Sequence, residues 1–171
     1  MRLFPLLICL CCPFVALAQE QDAVYFVNMQ KVVDESIIGK AAKSDVEGEA
    51  RKRQLTIESK KSEIAKLRAE LDKQKSLLSA AALTERQQII ERKERELVRN
   101  FDDQREEIAK LNSVEMKKVV GEIDAVIKEI STQNNYKMVI ERDNRLVLYV
   151  NSSWDLTDNV IKKLNEKKLG N

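Results

Sequence analysis

The chain has 171 residues, with 30 Lys and Arg against 28 Asp and Glu and no histidine. A net charge of +2 excludes whole-chain attraction to nucleic acid or another polyanion as the organising interaction. All three cysteines and both prolines fall within the first 13 residues, so the rest of the chain has neither a disulfide scaffold nor a thiolate nucleophile or metal ligand.

The opening segment, MRLFPLLICLCCPFVALA (residues 1–18), has an early charge at Arg2, an apolar run, and Ala16-Leu17-Ala18 before Gln19. It reads as a secretory signal cleaved after Ala18. Its apolar run is about 15 residues, shorter than the roughly 20 of a spanning helix. Cleavage exports residues 19–171, which carry a net charge of +1 because Arg2 is the only charged residue removed.

Ala23 to Met29 (AVYFVNM) is short, β-branched and aromatic, and apolar on both faces, which predicts a buried strand. From Lys31 to about Ser131 the chain is proline-free and rich in Glu, Lys, Arg, Gln, Leu and Ala, which predicts helix in more than one piece. Ala50, Ile57, Ile64, Leu71 and Leu78 recur at sevens, with Leu67 as a partial second position. Arg53, Lys60 and Gln74 at the other seam positions are polar, so the stripe is narrower than a full coiled-coil seam.

The register is lost at Ser76–Arg86, where Thr84, with Glu85 and Gln87 behind it, is the expected cap of a new helix. That places the tip of an antiparallel helical hairpin near residues 79–85. The returning arm carries Ile90, Leu97, Phe101, Ile108, Leu111, Met116, Val119 or Val120, Ile123, Ile127 and Ile130 at helical spacings. Charge supports the hairpin: Arg51–Lys75 has nine basic and four acidic residues, whereas Arg99–Ile130 has six basic and eight acidic. Arms of roughly 40 to 45 residues would reach some 60 to 70 Å.

Tyr136, Met138 and Ile140, then Leu146, Leu148 and Val150, alternate about Asp143-Asn144, which predicts a β-hairpin. Asp155 or Thr157 is the expected cap of a last helix whose face is Leu156, Val160, Ile161 and Leu164, with Trp154 packed as a staple at its entrance. Residues 22–38 and 132–171 then form a body of about 57 residues around an arm spanning 39–131. So small a body without disulfide or metal needs self-association.

No phosphate loop, dinucleotide motif, zincin motif or nucleophile elbow is present, and Asp102–Glu107 lies on a helix without the glycine of a calcium loop. Catalytic residues, metal and cofactors are therefore not expected, and the chain is not read as an enzyme.

Val24–Ser36, Gly39–Glu49 and Tyr136–Asn165 resemble the ends of the Skp/OmpH family of periplasmic chaperones, most closely in Val27-Asn28 and in Asp155-Leu156-Thr157-Asp158. The resemblance implies an α+β, predominantly α fold. Three strands per subunit would assemble into a small trimeric β-body, from which helical hairpins hang like the tentacles of a jellyfish. It also implies an ATP-independent holdase in the periplasm that takes unfolded outer-membrane β-barrel proteins into the cavity between its arms. If charge guides capture, Arg51, Lys52, Arg53, Lys60, Lys61 and Lys66 on the outgoing arm are the candidate client-binding residues. An anionic membrane surface is a further partner for them. Gly48 and Gly121 are candidate points of arm flexibility. The competing reading is a secreted coiled-coil spacer or envelope tether that holds no client.

Overall fold

The computed structural model describes residues 24–143 and 145–170. In chain order these form β1 (Val24–Val27), α1 (Met29–Glu35), α2 (Ile37–Gln74), α3 (Ala80–Gln133), β2 (Met138–Glu141) and α4 (Thr157–Leu169), with a 3-10 turn at Ser152–Trp154. The signal-sequence reading lies outside the described residues.

The helical region breaks early, at Ser36, for a local reason. Ser36 is extended (φ −71°, ψ 152°) and serves both helices: its amide closes α1 on the Val32 carbonyl, and its hydroxyl accepts from the Gly39 amide to cap α2. The two helices approach so closely here that a Cβ on Gly39 would stand 1.9 Å from the Val33 carbonyl oxygen.

With 38 and 54 residues, α2 and α3 are about 57 and about 81 Å long. They run antiparallel as the arm, and the chain reverses at residues 75–79. The cap of α3 is Ser79, whose hydroxyl accepts from the Ala82 amide. Thr84, the expected cap, instead donates back to the Ala80 carbonyl from inside the helix. At its far end α3 stops because Asn135 turns left-handed (φ 55°), letting the Tyr136 amide reach the Ser131 carbonyl.

The sheet differs from the expected β-hairpin. β2 pairs parallel with β1, from Val24 opposite Met138 to Val27 opposite Glu141, and Asp155 bridges the other edge of β1 at Phe26. Parallel neighbours require a long crossover, and here the crossover is the whole arm. The third strand anticipated over Leu146–Val150 does not form: among the described residues the sheet has two strands. The chain folds into a turn after Asp143, whose carbonyl accepts from both the Leu146 and Val147 amides. Asn144 of the expected turn lies outside the described residues.

The core of the body joins every layer. Val27 of β1, Val32 of α1, Ile123 and Val126 of α3, and Val160 of α4 are each at most 1% exposed. The bases of both arms enter it, through Ala42 and through Val119 to Ile130. The entrance to α4 is closed by Leu156, whose amide donates to the Phe26 carbonyl, and by Thr157, whose hydroxyl accepts from the Asn28 amide. Trp154, expected as the staple there, is 44% exposed.

Candidate functional site: the arm and the open face of the body

The heptad stripe is buried where the arms meet: Ile57, Ile64 and Leu71 face α3, and Ile90 faces back. Near the reversal, Ile64, Leu71 and Ile90 form a cluster with Leu67, Leu78, Leu83 and Leu97. Opposite charges flank it. Arg68 meets Glu94 at 2.6 Å, Lys93 meets Glu63 at 2.8 Å, and Arg86 donates to Gln74 at 2.9 Å. Farther in, Arg53 bridges to Glu107 on the other arm while holding Glu49 on its own helix at 2.9 Å. Of these bridges, Arg53 to Glu107 joins the basic stretch Arg51–Lys75 to the acidic stretch Arg99–Ile130, whereas Lys93 to Glu63 pairs the two arms with the signs reversed.

This arrangement sorts the six candidate basic residues. Arg53 is committed to the hairpin, and its guanidinium is raised above its ordinary pKa first by the hydrogen bond to Glu107 and then by that to Glu49. Lys52 lies 3.8 Å from Glu49, and Lys60 helps hold the Glu63 carboxyl down. Arg51, Lys61 and Lys66 are exposed and, among the described residues, make no ion pair. Only these three are free to meet something else without loosening the hairpin.

Sequence reasoning missed the outward-facing apolar residues of the arm. Phe101, expected on the seam, is 48% exposed, and Leu55 and Val98 are each 61% exposed. The polar Asn100 and Gln104 beside Phe101 were the available signal that the seam changes character there.

On the body, Met138, Ile140, Leu146, Leu148, Tyr149 and Trp154 are all exposed, Leu148 almost completely (91%). So large a share of one short segment left uncovered marks an interaction surface. Among the described residues β2 adds an edge with no further strand on it. Among the described residues no cluster of acidic side chains is placed to hold a metal, and no helix is long and apolar enough to cross a membrane.

A model of the OmpH family, described as "Outer membrane protein (OmpH-like)", matches residues 23–164. The chain belongs to the OmpH-like family. A crystal structure from Caulobacter crescentus CB15, named as a candidate outer membrane chaperone (OmpH-like), superposes on this OmpH-like chain with a TM-score of 0.80 at 17% identity, covering 84% of each chain. At that identity the likeness is one of fold. No curated protein sequence matches the chain.

In this OmpH-like chain four carboxylates that join elements, Asp34, Glu63, Glu129 and Asp155, titrate below their ordinary range, Asp34 through the hydrogen bond from Lys43. Glu129 on α3 is held down by hydrogen bonds from Lys167 and then Lys163 on α4, and Glu63 by Lys93 across the arm. For Asp155 burial pushes upward, but the Thr157 hydroxyl and amide and the Arg142 guanidinium outweigh it. A carboxylate lowered on folding contributes stability above its unfolded value of about 4 and loses it as the pH falls further. With no histidine to titrate, the melting temperature should be level from about pH 8 to 5.5 and fall below about pH 4. Thermal melts followed by circular dichroism check this, and a drop between pH 7 and 5.5 would contradict it.

Proposed function

We propose that this OmpH-like chain is a periplasmic, ATP-independent holdase that assembles as a homotrimer through its body and receives unfolded outer-membrane β-barrel proteins between its arms. The observation that carries this reading is the division of labour in one chain: the body leaves its apolar strip from Met138 to Trp154 uncovered, while a long proline-free arm projects from it. Covering a leucine on association is worth about 1.5 to 3 kcal/mol, so the strip supports a stable oligomer. The 57-residue estimate of the body made the same demand.

A holdase binds the unfolded state and withdraws it from aggregation by mass action, with no bond made or broken. The arms supply what that requires: scattered exposed apolar residues such as Leu55, Val98 and Phe101, and the free cations Arg51, Lys61 and Lys66. Weak contacts of this kind, repeated on several arms, add up without selecting one sequence. The same cations would meet an anionic membrane surface, the second partner of the arm.

The reading is tested by diluting a urea-denatured outer-membrane β-barrel into buffer with and without the mature chain and following light scattering. Suppression at stoichiometric chain is expected, and undiminished aggregation would leave the spacer as the better reading. Arg51→Glu, Lys61→Glu and Lys66→Glu together should slow capture of an acidic client about tenfold at low salt, an effect that fades near physiological ionic strength. Because none of the three is paired among the described residues, helicity should not change. Equal stopped-flow capture rates for variant and parent would return these residues to an ordinary solvated face.

A further inference from the structure

The clustered buried apolar residues of the arm fall into two separate groups, with Ile57 buried alone between them. The inner one, continuous with the body, ends at Ala42 and Met116, and the outer one begins at Ile64 and Leu97. Between them lie residues 43–63 of α2 and 98–115 of α3, roughly 30 Å of paired helix. No residue of either stretch belongs to a cluster.

This waist is thinly packed: Val46, Ala50, Ile108 and Leu111 are only half-buried. Ile57 is its only buried residue. Because Arg53 pairs with Glu107 and Glu63 with Lys93, Ile57 lies opposite the stretch between Leu97 and Asp103, where Asn100 occupies a half-buried position. Asn100 turns its amide to the Glu96 carbonyl of its own helix at 2.7 Å and so gives the partner helix little. Apolar side chains of the same stretches, Leu55, Val98, Phe101 and Val114, are exposed instead. Among the described residues, the bridge from Arg53 to Glu107 is the one cross-arm ion pair with both partners inside the waist, and Lys93 to Glu63 closes its outer edge.

We infer that the arm is two apolar segments joined by an ion-latched waist, at which the outer segment bends as a unit, and that ionic strength sets how often the latch is open. The pair that closes it is partly exposed and therefore screened by salt, whereas the apolar clusters on either side are not. The inference concerns the arm alone and holds whether or not a client binds.

Amide hydrogen exchange of the mature protein, read by mass spectrometry, tests this. Protection should be lower in the waist than in residues 64–71 and 90–97, although these are farther from the body. Raising sodium chloride from about 0.05 to about 0.5 M should speed waist exchange two- to fivefold, roughly the measured weight of a partly exposed pair, and speed the outer cluster less, because buried Ile64, Leu71 and Ile90 hold it besides its own ion pairs. Protection that declines steadily from body to reversal, as in a fraying hairpin, would overturn the inference. Asn100→Leu with Gln104→Leu should extend the apolar seam around Ile57 and raise waist protection about tenfold. Unchanged waist exchange in that variant, once circular dichroism shows it helical, would overturn the inference equally.

Discussion

Replacing Gly39 by alanine should destabilise the body by about 3 kcal/mol, a large share of the 5 to 15 kcal/mol that holds a domain of ordinary stability. The new methyl would stand 1.9 Å from the Val33 carbonyl oxygen and 2.8 Å from its carbon. Both are backbone atoms, so no side chain can swing aside to relieve the contact. Relief must come from separating α1 from α2, which would withdraw the Ser36 hydroxyl from the Gly39 amide and expose Val32 and Val33. Gly48 and Gly121 are the internal controls: a methyl at either meets nothing within 4 Å, and each lies inside a helix. Alanine there should stabilise by up to about 1 kcal/mol. Urea titrations of the three variants check the ranking, and a Gly39→Ala protein as stable as the parent would show that the junction yields more easily than its geometry indicates. If Gly48 and Gly121 also lend the arm flexibility, their alanine variants should accept a narrower range of client sizes.

Leu146→Asp together with Leu148→Asp should abolish assembly and leave a helical monomer of lowered melting temperature, since the small body loses the support of association. The two side chains are 81% and 91% exposed and take part in neither apolar cluster, so the single chain loses little. In an assembled body they would be covered, and two carboxylates placed there would each need water or a cation. Sedimentation velocity should show a monomer, with circular dichroism reporting a helical chain that melts at a lower temperature than the parent. An oligomer of undiminished size would mean that assembly uses another surface, such as the Met138 and Ile140 edge of the sheet.

The arm was legible in the sequence because its determinants are local and periodic. Ile57, Ile64 and Leu71 at sevens became its buried stripe, and the opposite charges of the two counted stretches met in the Arg53 to Glu107 bridge. The face of α4 followed in the same way from Leu156, Val160 and Leu164. The sheet was misread because alternation reports a tendency to extend and says nothing of the partner. Met138 and Ile140 do form a strand, but they pair with Val24 and Phe26, more than a hundred residues away, and not with Leu146 and Leu148 nearby.

Two local details escaped for a different reason. Ser79 and Thr84 both precede helix-forming residues, and the earlier of the two took the cap because Ala80–Ala82 already favour the helix. Gly39 looked like one glycine among several, since a close approach to Val33 depends on how two helices meet and leaves no periodic trace. Of the six candidate basic residues, composition alone could not separate Arg53, which ties the arms together, from Arg51, Lys61 and Lys66, which are free.

Whether arms gathered by the body enclose a client is read by native mass spectrometry of the mature chain. The chain would be measured alone and after mixing with a urea-denatured outer-membrane β-barrel. The account predicts a trimer that gains the mass of one client. A chain that stays monomeric, or a trimer that leaves the client to aggregate, would contradict it.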